Sequence, residues 1–180
     1  TLFALYDFTR EVAGDRAEVT LLLPPGVEAH AFEPKPRDVA RISQADIFVY
    51  AGAGMEPWVA DILQGLDASR LMVVDASRGL DLIAGHDHDE AQAASEPGHN
   101  QDPHAWLDFS NAEKIVGAIG AALATKDPAN ALFYIQRAQA YQERLRRLDQ
   151  DYRFAFASCP RRAVLFAGHM VFGYWTRRYG

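Results

Sequence analysis

The sequence predicts an α/β protein with a parallel-sheet βα lobe, a long linking helix and the start of a second βα lobe. Short apolar runs alternate with stretches of helical periodicity, an order typical of a parallel sheet covered on both faces. One helical pattern, at 129–157, is much longer than the others. A strand pattern and a helix pattern then begin the same alternation again.

Four apolar runs bounded by turn residues are predicted to be strands, at 18–24, 46–52, 71–75 and 163–167. The first is rich in Leu and β-branched residues and closes on a Pro-Pro-Gly turn, which indicates a buried strand followed by a loop. The apolar opening at 1–6 enters hydrophobic sequence at once, as expected if it follows a preceding strand.

Helical periodicity predicts helices at 36–43, 56–66, 111–124, 129–157 and 172–179. Ser110 and Asn111 are candidate caps of the third, and Asp127-Pro128 fits the start of the fourth. At 1.5 Å per residue the fourth helix would be about 40 Å long, more than one small lobe needs. We therefore expect it to be a spine between an N-terminal lobe (1–125) and an incomplete second lobe (159–180), with the linking helix at 126–158.

Composition excludes several classes of protein. The formal charge of −6 and the pI near 5.4 argue against a nucleic-acid surface. Cys159 is the only cysteine, so there is neither an internal disulfide nor a CxxC zinc motif. The apolar runs are shorter than the roughly 20 residues that span a bilayer, and no signal segment opens the chain. Both ends are expected to be fragment boundaries.

The segment 85–104 interrupts the strand and helix rhythm with small, acidic and histidine residues, and it is predicted to be a mobile loop. It contains His86, His88 and His99. Two interpretations stay open for it, a solvated linker and a metal-attracting tract.

Three other histidines follow predicted strand ends or the acidic loop: His30, His104 and His169. Ligand sites in an open parallel sheet form outside the carboxyl ends of the strands, so the three could converge on one cleft. Imidazole is a favoured zinc ligand, and the wide spacing excludes a finger-type site. Taken singly, each could equally be a surface or hydrogen-bonding residue.

Other conspicuous side chains are predicted to be structural. Trp58 and the group Phe172, Tyr174 and Trp175 are expected to be core residues. Glu56, at the start of a predicted helix, is expected to cap it or to favour its dipole, the alternative being that it orders the cleft.

Three ordered motifs resemble the zinc and manganese receptors of bacterial ABC importers. Residues 24–38, followed by 45–52 and Met55-Glu-Pro-Trp, resemble the first metal-ligand segment of that family. Asp102-Pro-His-Ala-Trp-Leu-Asp resembles the second, and 168–180, from Gly-His-Met to Arg-Tyr-Gly, resembles the third. Together the motifs cover nearly the whole chain.

The resemblance implies that His30, His104 and His169 are metal ligands between two lobes joined by a rigid helix. A histidine at the third position implies zinc, because imidazole in place of carboxylate disfavours the harder Mn²⁺. It also implies that His86, His88 and His99 lie in an auxiliary, low-affinity collecting loop. Water, a loop residue or a neighbouring chain is left to fill the fourth position, and an incomplete second lobe favours dimerisation.

The expected function is therefore capture of Zn²⁺, as transported ligand, for a membrane permease, at the periplasmic or extracellular face of the cytoplasmic membrane. A manganese receptor or metal-linked adhesin is the alternative. A zinc hydrolase is disfavoured because nothing resembles HExxH and no carboxylate is placed as a general base, so no enzyme activity is expected.

Overall fold

The computed structural model describes residues 1–66, 70–85, 101–161, 163, 165, 166 and 170–180. Its helices and strands are α1 Phe3–Ala13, α2 Pro36–Gln44, β1 Ile47–Tyr50, α3 Val59–Gly65, β2 Met72–Asp75, α4 Phe109–Lys126, α5 Ala131–Ala157 and α6 Gly173–Tyr179. Short 3₁₀ turns at Ala105–Leu107 and Pro128–Asn130 precede α4 and α5. The predicted α/β class, with its parallel sheet and long helix, is confirmed.

The two strands pair in parallel, from Ile47 opposite Met72 to Tyr50 opposite Asp75, with α3 as their crossover. Side chains along β1 alternate between two cores, as the period of two in a strand requires. Ile47 and Val49 pack against the core formed with α1, α4 and α5. Phe48 instead packs with α2 and α3. Both faces of the sheet are therefore covered by helices, as predicted.

The larger core lies where α1, α4 and α5 meet. Val12, Val116 and Tyr134, one from each helix, are almost fully buried there. The close approach of α4 to α5 depends on Gly120, because a Cβ at that position would lie 2.7 Å from the Cβ of Ala138. The prediction that α5 is a long helix is confirmed, and it packs against α4 and α1 through Tyr134, Ala138 and Leu145.

The prediction of a strand at 18–24 is wrong, because the segment has no regular secondary structure. Its apolar side chains serve burial instead: Leu22 and Leu23 pack against the two different cores. The Leu23 amide donates to the Thr1 carbonyl, and the Thr1 amino group donates to the Val49 carbonyl. Residue 1 therefore lies between this segment and β1, and the segment does not reach β1 to form a ladder with it.

Helix α1 was not among the predicted helices. Leu5, Phe8 and Val12 recur at helical spacing and are buried on one side of it. The run was short and preceded by no capping side chain, since the residue before the helix is Leu2, which makes no side-chain cap.

Helix starts differ from those predicted. Helix α3 begins at Val59, not at residue 56. Asp108, not Ser110 or Asn111, caps α4, because its carboxylate accepts from the amides of both of those residues. After Asp127, a 3₁₀ turn comes before α5.

Some predictions lie wholly or partly outside the described residues. They include the loop at 85–104, of which 86–100 is not described, and the strand at 163–167, where residues 163, 165 and 166 show no regular structure. Helix α6 begins within one residue of its predicted start. Among the helices that the structure describes, none combines the length and the apolar character needed to cross a bilayer.

Candidate metal site

His30 lies in the loop that connects the 18–24 segment to α2. The Glu28 carboxylate fixes the turn by accepting from the His30 amide at 2.8 Å and from the Ala31 amide at 3.2 Å. Phe32 anchors the next part of the loop edge-on against Trp58, with ring centroids 6.0 Å apart. His30 itself is exposed. Contacts within the loop therefore help to hold its backbone.

His104 is buried, with 7% of its surface exposed, immediately before the 3₁₀ turn at Ala105–Leu107. The Asp102 carboxylate accepts from the His104 amide at 2.9 Å and lies 2.7 Å from His104 Nδ1. A carboxylate can only accept, so this contact assigns the ring proton to Nδ1. Nε2, on the other side of the ring, lies towards His30.

The structure brings His30 and His104 together. Their Nε2 atoms are 3.4 Å apart, and the rings meet edge to face with centroids 5.4 Å apart. Two imidazole nitrogens bound at about 2.0–2.1 Å to one tetrahedral zinc ion would be separated by about 3.3 Å. The observed spacing suits a shared ion, and the Asp102–His104 pair has the form of the carboxylate–histidine contacts that orient zinc ligands.

His169 lies outside the described residues, as do His86, His88 and His99. Within the part of the chain that is described, no group of three or more metal-ligating side chains forms. The geometry therefore supplies a pair of imidazoles with the carboxylate of Asp102 behind one of them.

Two backbone contacts join the described residues on either side of 86–100. The Asp102 amide donates to the Ile83 carbonyl at 2.9 Å, and Ala84 bridges Gln101 in antiparallel fashion. Asn111 extends this base to α4, since its side chain accepts from the Asp81 amide and donates to the Asp81 carbonyl. Residues 81–84, residues 101 and 102, and the first turn of α4 are thus one hydrogen-bonded unit.

Tyr174 links α6 to the same unit. Its hydroxyl donates to the Asp102 carbonyl at 2.7 Å and accepts from the Ile83 amide at 3.4 Å. The expectation that Tyr174 is a core residue is confirmed, since it is fully buried. Burial raises the pKa of its phenol to about 12. The role of the hydroxyl was missed, although a Tyr on a buried face already signals a polar partner.

An ionic cluster, which we call the α6 clasp, joins Arg178 to Asp149 of α5 and to Asp108. The guanidinium contacts both Asp149 oxygens, at 2.6 and 2.7 Å, and lies 3.2 Å from the Asp108 carboxylate. Hydrogen bonding by Arg178 lowers the pKa of Asp149 to about 2, and Asp149 in turn raises the pKa of Arg178. The clasp was not predicted from sequence.

The prediction that Glu56 caps a helix or favours its dipole is wrong. Its buried carboxylate accepts from the Ala51 amide at 2.9 Å and the Gly52 amide at 3.0 Å, and from the Thr1 hydroxyl. It therefore fixes the turn after β1. Gly52 has φ +72° in that turn, and a Cβ there would lie 2.2 Å from Asp75 Oδ1, so the turn requires glycine.

Comparison with known proteins defines the class first: the matched family consists of substrate-binding proteins of metal-uptake systems and not of enzymes. The chain belongs to the family described as zinc-uptake complex component A, periplasmic, which matches residues 1–180. The resemblance stated from the three motifs is thereby confirmed.

Individual relatives agree. The chain is 35% identical to the high-affinity zinc uptake system protein ZnuA of Bacillus subtilis over 183 residues, all of this chain and 57% of that protein. It is 34% identical to the zinc-binding lipoprotein AdcA of Streptococcus pneumoniae, again over all of this chain but 36% of that protein. The chain thus spans between about a third and three fifths of the curated relatives it matches.

Solved structures give the same picture. The metal-dependent lipoprotein YcdH of Bacillus subtilis matches with a TM-score of 0.85 at 33% identity, over 98% of this chain and 61% of that one. Zn(II)-bound AdcA of Streptococcus pneumoniae matches with a TM-score of 0.84 at 34% identity, over 99% of this chain and 36% of that one. Similar proteins therefore include periplasmic and lipoprotein members that bind zinc.

Proposed function

We propose that the chain captures Zn²⁺ with His30, His104 and His169 and delivers it to the membrane permease of an ABC importer. The observation that carries this proposal is the 3.4 Å separation of the Nε2 atoms of His30 and His104. His169, in the third motif, is the proposed third ligand. The similarity to Zn(II)-bound AdcA and to the zinc-uptake protein ZnuA supports zinc as the ligand.

The proposed site suits reversible capture. Neutral imidazole ligands favour Zn²⁺ over Mn²⁺, and a fourth position filled by water, a loop residue or a neighbouring chain leaves a route for release. The proposed arrangement is a metal-binding lobe at 1–125, a linking helix at 126–158 and the start of a second lobe at 159–180. The proposed location is the periplasm or the outer face of the cytoplasmic membrane.

Zinc titration calorimetry of the metal-free chain tests the ligand assignment. One tight site is expected in the wild type, and it should be lost in the triple variant His30→Ala, His104→Ala, His169→Ala. The matched control replaces His86, His88 and His99 by Ala, the same number of imidazoles, and should remove only weak binding. Tight binding that survives the cleft variant but not the loop variant would overturn the assignment.

Competition between metals tests the choice of zinc. Titration of the apoprotein with Zn²⁺ in the presence of excess Mn²⁺ should leave the zinc affinity nearly unchanged, because Mn²⁺ prefers harder oxygen ligands. Displacement of zinc by equimolar Mn²⁺ would instead identify a manganese receptor.

Adhesion is a second candidate function. A laminin-binding adhesin of Streptococcus agalactiae matches with a TM-score of 0.84 at 29% identity, over 98% of this chain and 63% of that one. Solid-phase binding of zinc-loaded and zinc-free chain to immobilised laminin tests it. Saturable binding would support adhesion, and signal equal to that of an albumin control would exclude it.

Dimerisation is the remaining proposal about partners. Several apolar side chains near the end of α5 and beyond it are exposed, among them Phe154 at 83%, Leu165 and Met170. A second copy of the chain would cover them. Light scattering coupled to size-exclusion chromatography should give twice the chain mass, and a strictly monomeric profile across the concentration range would contradict the proposal.

A further inference from the structure

We propose that the hydroxyl of Tyr174 is a positioning group for zinc capture: acting through Asp102, it fixes the direction in which His104 presents Nε2. The inference rests on the proposed function, because it concerns the same zinc site. Tyr174 touches neither histidine ring in the contacts described here, so its role is indirect.

The first link joins Tyr174 to the main chain of Asp102. The hydroxyl donates to the Asp102 carbonyl at 2.7 Å, from a helix that lies 72 residues further along the chain. Tyr174 is fully buried and Asp102 is 5% exposed, so water does not readily replace this bond. The position of the Asp102 carbonyl is therefore set by α6.

The second link joins Asp102 to the imidazole. The amide of Asp102 is held by the Ile83 carbonyl, and its carboxylate contacts both the amide and Nδ1 of His104. A shift of the Asp102 main chain would carry the carboxylate with it. The imidazole would then lose the partner that selects its tautomer and its ring orientation.

The donor is present at every pH at which zinc binding would be measured, because burial raises the pKa of Tyr174 to about 12. Tyr174→Phe keeps the buried ring and removes only the hydroxyl, which donates to the Asp102 carbonyl and accepts from the Ile83 amide. Loss of a carboxylate or other partner behind a zinc-ligating histidine typically costs 10- to 100-fold in metal affinity. Because Tyr174 acts one bond further away, we expect a loss of about 10-fold, expressed as faster zinc release.

The chain offers a matched control in Tyr134. It is 1% exposed, and its hydroxyl donates to the Asp127 carboxylate at 2.8 Å, where α5 begins. Tyr134→Phe removes one buried hydroxyl donor as Tyr174→Phe does, but within a hydrogen-bonded group that includes neither histidine. Its zinc affinity is expected to stay within about 2-fold of wild type, as for a site that shares no partners with the metal ligands.

The test measures zinc affinity by chelator competition for wild type, Tyr174→Phe, Tyr134→Phe, Asp102→Asn and the double variant Tyr174→Phe, Asp102→Asn. If Tyr174 acts through Asp102, the 10-fold effect of Tyr174→Phe should largely vanish in the Asp102→Asn background. Nitrogen NMR of the zinc-free chain should show the Nδ1-protonated tautomer of His104 in wild type and in Tyr134→Phe, and a mixture of tautomers in Tyr174→Phe.

Replacement of Tyr174 by 4-aminophenylalanine, which retains an N–H donor, should restore most of the affinity, whereas 4-methylphenylalanine should not. This pair decides the matter if Tyr174→Phe gives no cooperative melt. Unchanged affinity in the donor-free variants, equal losses in Tyr134→Phe, or full additivity with Asp102→Asn would each overturn the inference. A wild-type affinity retained by His104→Ala would instead refute the proposed zinc site itself.

Discussion

The loops that carry His30 and His104 are held in different ways. His30 is exposed, and its loop is fixed by Glu28, two residues earlier, and by the packing of Phe32 on Trp58. His104 is buried, and its support runs through Asp102 to Tyr174, 72 residues away in sequence. The backbone at His30 is thus fixed by a residue of its own turn, whereas the His104 imidazole is oriented by contacts that extend to α6.

This difference suggests a division of labour in the proposed site. A buried histidine with a fixed tautomer is preorganised to accept the ion, because its orientation costs little on binding. An exposed histidine can meet incoming metal first and adjust to it. The Nε2 atoms of these two differently supported histidines lie 3.4 Å apart.

The largest expected effects come from replacing the two histidines, which should differ in their effect on the stability of the zinc-free chain. His104→Ala and His30→Ala should each weaken zinc binding by about 100-fold or more, because each removes a ligand from a site whose total binding energy is on the order of 10 kcal/mol. Only His104→Ala should also destabilise the zinc-free chain, by about 1–3 kcal/mol, since it removes the ring from the buried Asp102 carboxylate. Calorimetry and urea unfolding of both variants measure the two effects. Equal stability losses in the two variants would contradict the difference in support between His30 and His104.

The next effect concerns the α6 clasp, which ties α6 to α5 and to the start of α4. Arg178 has 13% of its side chain exposed, and its removal leaves Asp149 and Asp108 without their main cation. Arg178→Met should lower the free energy of unfolding by about 3 kcal/mol. The control is Arg147→Met, whose 72% exposed guanidinium pairs with Glu143 and whose loss should cost less than about 0.5 kcal/mol. Similar urea midpoints for the two variants would show that Arg178 does not stabilise the fold more than an exposed ion pair does.

Replacing the carboxylates that contact the two histidine residues should have smaller effects on zinc affinity, and these effects should differ between the two carboxylates. Asp102→Asn should weaken zinc binding by about 10- to 100-fold, because the amide no longer selects the His104 tautomer. Glu28→Gln should change affinity by no more than about 3-fold, since its contacts are exposed amides of its own turn. Chelator competition measures both. An effect of Glu28→Gln as large as that of Asp102→Asn would show that the His30 loop is equally preorganised.

The smallest expected effect is a pH dependence of the clasp. The pKa of Asp149 is lowered to about 2, so its ion pairs stabilise the fold fully above its unfolded value near 4 and less as pH falls from 4 towards 2. This contribution is about 2 kcal/mol. The wild type should therefore lose more stability than Asp149→Asn between pH 5 and pH 2.5, as measured by urea unfolding. Parallel losses in the two proteins would exclude a role for Asp149.

Local patterns in the sequence were enough for much of the fold. The apolar runs around β1 and β2, the turn residues that end them and the long stretch of helical periodicity in α5 all predict what the structure contains. This is possible because the buried face of a strand or helix is formed by residues that are close together in sequence. The failures are equally instructive. The run at 18–24 has strand composition, but a strand also needs a partner along its length, and the described contact between Leu23 and Thr1 provides only one bond.

The candidate site also has residues that the sequence predicts and residues whose role only the tertiary structure shows. His30 and His104 stand in motifs whose spacing and neighbours mark them, and His169 stands in a third motif and remains a predicted ligand. The same motifs contain Asp102 and Tyr174, but the sequence predicts only that the first lies in the acidic loop and that the second is a core residue. Their roles depend on hydrogen bonds between residues far apart in the chain, which no local pattern encodes.

By itself the sequence determined the α/β class, the order of most helices and strands, and the family, because periodicity and motif spacing are properties of adjacent residues. The tertiary structure decided what orients the candidate ligands: Tyr174 on the Asp102 carbonyl, Arg178 between Asp149 and Asp108, and Glu56 on the turn after β1. Each of these joins buried polar groups, which must find partners wherever packing places them, and packing is settled only when the whole chain has folded.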